Sequence, residues 1–327
     1  MRFVPQLANL ERFGKQKTSK RMVKNRKVTH KNILITGGCG HIGSSLIRSA
    51  PPHYGITVVD NMWTQRYCSL FNHEKRIRFI EKDINDITQE DLKDIHTVIH
   101  LASITNATNS FHHKDQVESV NYEATVNLMN TCKEVGCKFI FPSSTSIYGV
   151  ATEEVYEDND SYLNPQSPYA ESKIKGEVCL KDSGLEYLIL RFGTIFGISD
   201  GMRFHTAINK FCYQASIREP LTVWRENFNQ YRPYLGLNDC VNSIIHLAES
   251  DNWNQTYNVL TKNYKLSEII SIIEDHIDIE INMVDTPLLN QYSYLVNDDK
   301  IRNTNFTPKD DIECEIKKTL NRLRNLN

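Results

Sequence analysis

The stretch Lys31-Asn32-Ile33-Leu34-Ile35-Thr36-Gly37-Gly38-Cys39-Gly40-His41-Ile42-Gly43 decides how the rest of the chain is read. Ile33 to Ile35 is a short apolar run, as in a strand buried on both faces of a parallel sheet. Glycines break it at once, and Ile42, Leu46 and Ile47 then follow a helical spacing. A strand that turns through glycines into a helix leaves backbone N–H groups and a helix N-terminus aimed at one point, which attracts a diphosphate. Gly37, Gly40 and Gly43 form a G-x-x-G-x-x-G spacing, and Gly38, Gly40 and Gly43 also satisfy G-x-G-x-x-G. The turn is therefore a candidate dinucleotide site, with His41 and Ile42 at the start of the helix.

Working outward, the same pattern repeats. The helix is expected to stop at Pro51-Pro52, which cannot continue it. Residues 56–60 then read as a second buried strand ending in Asp60, 20 residues beyond Gly40. A carboxylate there can accept hydrogen bonds from an adenosine ribose and would repel a 2′-phosphate, which favours NAD over NADP. Residues 77–80 form a third strand. Asp83 after it either holds an adenine amino group, with Ile84 over the ring, or caps a helix over 84–92. Residues 97–102 read as a fourth strand whose small end, Ala102 and Ser103, lets the backbone approach a cofactor. His100 within it reads as a packed strand histidine, and His112-His113 as surface.

Residues 115–135 show one long helical period closed by Gly136, and 137–141 form a fifth strand. Five strand–helix alternations predict a parallel sheet wrapped on both faces, a doubly wound α/β fold.

The fifth strand runs into Pro142-Ser143-Ser144-Thr145-Ser146, and ligands of such sheets lie beyond the carboxyl ends of the strands. Downstream, Ser167-Pro168-Tyr169-Ala170-Glu171-Ser172-Lys173 opens a helix. Tyr169 and Lys173 are four apart, hence on one helical face. A phenol titrates near 10 and is a poor base at neutral pH. A nearby ammonium favours the phenolate, so Tyr169 can exchange a proton with a substrate hydroxyl. Ser144 can hydrogen-bond the same hydroxyl.

Taken together these motifs resemble the extended short-chain dehydrogenases/reductases, in particular the NAD-dependent nucleotide-sugar epimerase/dehydratase family, in its UDP-glucose 4-epimerase-like form. The likeness covers residues 32 to about 325. It rests on Thr36 to Gly43, Asp60-Asn61, Asp83-Ile84, His100-Leu101-Ala102, Val120-Asn121, Ser143 to Gly149, Tyr169 to Lys173, and Leu190-Arg191-Phe192. It implies a Rossmann domain over 32–195, rejoined by later segments, and a smaller C-terminal α/β substrate lobe over 196–327. It also implies a retained NAD touched by Gly37, Gly40, His41, Ile42, Gly43, Asp60, Asn61, Asp83, Ile84, Leu101, Ala102, Ser103, Asn121, Ser143, Tyr169, Lys173 and Phe192. Tyr169, Lys173 and Ser144 would be catalytic, acting at the sugar C4 through a transient 4-keto sugar.

Ser144, Ser146, Tyr169 and Thr194 would face the nucleotide-diphosphate sugar, and Arg232 would grip its diphosphate. A second diphosphate arginine common in the family is missing, so Arg203 or Arg218 is a candidate replacement, with His205 at the mouth of the lobe. Ser144 is followed by Thr145-Ser146-Ile147 without a carboxylate, which favours epimerisation over dehydration or decarboxylation. The alternatives are a reductase or dehydrogenase of the same fold, or a non-catalytic nucleotide sensor or scaffold. The resemblance further implies a homodimer through paired helices over 115–135 and 168–183.

Composition excludes other classes. The 327 residues are 40% hydrophobic and 24% charged, with a net charge of −2. There is no global pull toward nucleic acid or membrane. Ten of the 38 basic residues lie in 1–31 against Glu11 alone among the acids, so these residues read as a basic, mobile extension. Eight scattered cysteines, none in a C-x-x-C pair, predict free thiols in a reducing cytoplasm rather than a metal site. No apolar run reaches a membrane-spanning length, and the N-terminus lacks the apolar core of a secretory signal.

Overall fold

The computed structural model describes residues 31–73, 77–151, 153–285 and 294–324. The basic extension therefore lies outside the described residues except for Lys31.

The chain alternates strands and helices from the start: β1 (Lys31–Thr36), α1 (His41–Ser49), β2 (Tyr54–Asp60), β3 (Ile77–Glu81), β4 (Thr97–His100), α2 (Lys114–Glu118), α3 (Ala124–Val135), β5 (Lys138–Ser144), α4 (Pro168–Asp182) and β6 (Tyr187–Phe192). It continues through β7 (Thr194–Phe196), α5 (Ala207–Ser216), β8 (Leu221–Trp224), β9 (Tyr231–Gly236), α6 (Leu237–Ala248) and β10 (Gln255–Val259). It ends with β11 (Lys262–Lys265), α7 (Leu266–Glu274), β12 (Ile281–Val284), α8 (Asp299–Arg302) and α9 (Ile312–Leu323).

Seven strands form one sheet in the order β3-β2-β1-β4-β5-β6-β10, and every pairing in it is parallel. This is the Rossmann arrangement. Successive strands run outward one way from β1 and then the other way from β4, so a crevice opens between the carboxyl ends of these two. Both faces are covered because β1 is apolar on both. Ile33 and Ile35 pack toward α1 and α6, with Leu46, Val241 and Ile244. Leu34 packs toward α3 and α4, with Leu128, Met129 and Leu180.

The last third does not form a wholly separate lobe. α6 and β10 return to the Rossmann core. The segments left over gather around a third core, in which Ile208 and Phe211 of α5 meet Ile269 and Ile273 of α7 and Ile316 and Leu320 of α9. Two small sheets, β11-β9-β7 and β12-β8, edge it.

Two expectations from periodicity are refined. The helix over 115–135 forms, but it passes through a π-helical turn, Ser119–Glu123, between α2 and α3. Residues 84–92 form a short 3₁₀ turn, Ile84–Asp86, and then hydrogen-bonded turns rather than a helix. Asp83 does cap that turn, accepting from Asn85 N.

Candidate active site

The glycine turn is built by close approach. Gly37 has φ +63°, and a Cβ there would lie 2.7 Å from the Cα and N of Ala102, so the turn can pack on the chain leaving β4 only as glycine. Gly40 precedes α1 with no side-chain cap and no acid in the first turn, which leaves the helix N–H groups and their partial positive charge facing the crevice. Asp60, at the tip of β2, is anchored by backbone amides: Cys39 N donates to it at 3.0 Å and Met62 N at 2.9 Å. Asn61 Nδ2 donates to Asp83 at 3.0 Å. Partial burial pushes the Asp83 carboxyl up, but hydrogen bonds from Asn85 and Asn61 outweigh it and hold the group below the usual value.

A cleft of about 390 Å³ runs over this turn, lined by Gly37, Gly40, His41, Ile42 and Gly43, by Asp60, Asn61, Asp83 and Ile84, and by Leu101, Ala102 and Ser103. Two buried polar atoms at this groove have no partner in the protein, His41 Nε2 and Ser103 Oγ. Burial first, then the neighbouring Arg203, Arg66 and His205, lower the His41 imidazole to about 3. A turn of bare amides, an anchored carboxylate at the far end and unpaired donors between them fit a dinucleotide.

A second cavity, about 330 Å³, continues from the first past Ile42, Leu101, Ser103, Arg203 and His205. The candidate catalytic residues stand on its wall. Ser144 closes β5, and its Oγ lies 2.9 Å from Ser146 Oγ. Pro168 starts α4, with the Ser167 hydroxyl accepting from Ala170 N at 3.2 Å, so Tyr169 sits in the first helical turn. The Ser144 hydroxyl lies close enough to the Tyr169 phenol to favour its ionised form. One turn on, Lys173 Nζ donates to Pro142 O at 2.9 Å, 4.8 Å above the Phe141 ring and 5.8 Å from the centre of the Tyr169 ring. Burial lowers the Lys173 ammonium to about 8 against the pull of Glu177. Burial raises the Tyr169 phenol, and Arg203 and Ser144 offset only part of this. The phenol thus needs further positive charge beside it to act as a base near neutral pH.

Around these residues lie Ser143, Phe192, Thr194, Ser146, Arg203, His205 and Arg232. Arg203 donates to Thr105 Oγ1, while its Nε, though buried, has no partner. Desolvation lowers its guanidinium to about 10, with Tyr169 opposing and Arg66 assisting. Desolvation, then Arg203 and Arg66, lower His205 to about 4. Arg232 rises from β9 with the Tyr294 ring 5.1 Å from its guanidinium carbon, and its buried NH2 is unpaired. Among the described residues, no carboxylate lines this second cavity.

Two candidate residues are elsewhere. Arg218 is exposed beyond α5 with φ 58° and lines neither cavity, so of the two replacement arginines only Arg203 is at the site. Asn121 also lines neither cavity. The π-helical turn points it at the loop after β4, where its amide accepts from Ile104 N at 2.8 Å and donates to Ile104 O at 2.9 Å. It supports the chain beside Ser103 rather than facing a ligand. His100 is a strut, its ring nitrogens each 2.8 Å from a hydroxyl, Thr36 and Thr125, and burial lowers it to about 3. Sequence reasoning missed Arg66, Thr105 and Tyr294, which no motif spacing marks.

Fold, groove and Tyr–Lys pair define a nucleotide-dependent enzyme of the Rossmann class. The chain belongs to the NAD dependent epimerase/dehydratase family, whose model matches residues 33–259. It is 26% identical over 309 residues to a Methanocaldococcus jannaschii protein provisionally named a UDP-glucose 4-epimerase, covering 90% of this chain and 99% of that one. UDP-N-acetylglucosamine 4-epimerase of Methanobrevibacter ruminantium, solved with UDP-N-acetylmuramic acid, superposes with a TM-score of 0.81 at 28% identity, over 90% of this chain and 98% of the other. UDP-glucuronic acid 4-epimerase of Bacillus cereus, solved with UDP-glucuronic acid and NAD, gives 0.79 at 25% identity, over 90% and 100%. UDP-glucuronic acid decarboxylases and trifunctional enzymes with 4,6-dehydratase activity are relatives too, and the chain spans about half the length of these. The protein is thus an NAD-dependent enzyme of the epimerase/dehydratase family. Among the described residues no helix is long and apolar enough to cross a membrane.

Proposed function

We propose that the protein is a UDP-sugar 4-epimerase with Tyr169 as its acid/base. The observation that carries this reading is the placement of Tyr169, with Ser144 beside it and Lys173 one turn on, in a cavity that continues from the dinucleotide groove and has no carboxylate on its wall among the described residues. Dehydration in this family uses a carboxylate pair to remove a proton and expel a hydroxyl, and no carboxylate faces this cavity among the described residues. Hydride transfer with one proton acceptor needs only what is present.

Bound NAD supplies a hydride acceptor that returns what it takes. Tyr169, as phenolate, accepts the proton of the sugar C4 hydroxyl as the C4–H electron pair leaves. Ser144 holds the same oxygen in line. The Lys173 ammonium stabilises the phenolate. The resulting 4-keto sugar turns over in the pocket, receives the hydride on its other face and recovers the proton from Tyr169. Redox balance closes on the sugar, so no net oxidation occurs. Arg232, with its unpaired NH2, is suited to the UDP diphosphate. The cavity's cations without acids, Arg203 above all, favour a sugar carrying an acidic group, such as the UDP-glucuronic acid held by the Bacillus cereus neighbour.

We further propose a homodimer paired through α3 and α4, where Val178 is an exposed apolar residue, and a cytoplasmic location, which the eight free thiols fit. Incubation of the purified protein with UDP-glucuronic acid, UDP-glucose and UDP-N-acetylglucosamine, without added cofactor, tests the reaction. NMR is expected to show the C4 epimer accumulating over many turnovers. Stoichiometric NADH without an epimer would make it a dehydrogenase instead.

A further inference from the structure

The loop over 197–206, between β7 and α5, carries Arg203 and His205 into both cavities. Along its length it is fastened to the dinucleotide turn. Ser199 Oγ lies 2.7 Å from His41 Nδ1. Gly201 N donates to Ser44 Oγ at 3.1 Å, and a Cβ at 201 would fall within 2.5 Å of Cys39 O, so the loop backbone rests directly on the turn. Between them Asp200 accepts from Arg48 Nε at 2.8 Å and from its NH2, and the Asp200 carbonyl takes the Cys68 thiol at 3.5 Å.

Arg48, in the last turn of α1, does not hold this loop alone. It also donates to Phe71 O at 3.1 Å and Asn72 O at 3.4 Å. Those carbonyls end the segment that follows β2, whose Trp63, Thr64 and Arg66 line the groove opposite the glycines. One guanidinium therefore ties together the two loops that flank the dinucleotide groove, and the tied loop delivers Arg203 to the sugar cavity.

We propose that the 197–206 loop is a strap, latched by Arg48 and Asp200 over the start of α1, that keeps NAD in its groove between turnovers. A reaction that takes a hydride and gives it back to the same molecule gains nothing from cofactor exchange, and loses its intermediate if the cofactor leaves first. The latch is polar and partly exposed, so it is a closure that opens rather than part of the packed core. The inference rests on the hydride-returning reaction proposed above, but its test needs only NAD at the glycine turn and no sugar, so the two readings fail separately.

The test is the exchange of bound NAD for isotopically labelled NAD, followed on the purified holoprotein by rapid filtration, which needs no sugar substrate. Asp200→Asn should release NAD about tenfold faster than the parent, because interface changes act mainly on dissociation. Ser199→Ala, a milder change that leaves the ion pair, should do so about threefold. The Arg48→Met/Asp200→Asn double variant should release no faster than Arg48→Met alone, since both changes open one latch. Release within about twofold of the parent in both Asp200→Asn and Ser199→Ala, or fully multiplicative effects in the double variant, would overturn the proposal. Should Asp200→Asn fail to fold, Ser199→Ala decides the matter by itself.

Discussion

Two arginines, twelve residues apart in the chain, are treated in opposite ways. Arg191 on β6 is fully buried, and each of its three nitrogens is engaged: two bonds to Glu177 from Nε, one of 2.7 Å to Glu177 from NH2, and bonds from NH1 to the Tyr148 hydroxyl and Glu157 O. Burial pulls its guanidinium down, but Glu177 outweighs it and the net shift is upward. Arg203 also faces away from bulk water, yet it has no acid beside it, and desolvation leaves its guanidinium lowered to about 10. The difference separates a strut from a receptor. A buried cation with its counter-ion is part of the fold, whereas one held without a counter-ion is stable only on the promise of an incoming anion. Glu177 connects the first to the chemistry. It lies one turn beyond Lys173 on α4 and accepts from Ser143 Oγ at 2.5 Å, so the strut braces both the strand end that bears Ser144 and the helix that bears Tyr169.

Substitution tests this contrast, beginning with the strut. Arg191→Met strands Glu177 without its counter-ion and should cost about 3–5 kcal/mol of stability in urea unfolding. A loss below ~1 kcal/mol would put Arg191 in the same class as Arg203. Arg203→Met should leave unfolding nearly unchanged and weaken UDP-glucuronic acid binding by about 1.5–3 kcal/mol, with a smaller loss for UDP-glucose, as titration calorimetry would read. Equal losses for both sugars would remove the acidic-sugar preference and leave Arg203 as a general wall residue. The smallest effect belongs to Lys173→Met. Taking a cation from beside the phenol raises the Tyr169 pKa, so the acid limb of the rate profile should move to higher pH by about one unit. The parent should also lose activity as Lys173 deprotonates near pH 8, a limb the variant lacks. An unshifted profile would detach Lys173 from the proton chemistry.

What could be read from the sequence follows the range of the interactions. The glycine turn, Asp60 and the Tyr169–Lys173 spacing are local, each settled within a strand–turn–helix unit, and the Rossmann sheet follows from their repetition. The fate of the arginines was not local. Arg203 and Arg218 looked interchangeable until the 197–206 loop was seen to carry one into the cleft while α5 carried the other away. Asn121 turned on a π-helical insertion that leaves the apolar period nearly intact. β11, charged at both ends as Lys262–Lys265, gave no strand signal because its pairing with β9 supplies the stability that its side chains do not. Tyr294 reaches Arg232 across 62 positions, beyond any motif.

The claim at the centre is that C4 loses and regains its own hydrogen while Tyr169 handles only the hydroxyl proton. Running the reaction in deuterium oxide and locating the label by NMR tests it directly. The account predicts a C4 epimer with no deuterium on any ring carbon. Deuterium at C3, C4 or C5 would mean that a carbon-bound proton is exchanged with solvent, and would contradict it.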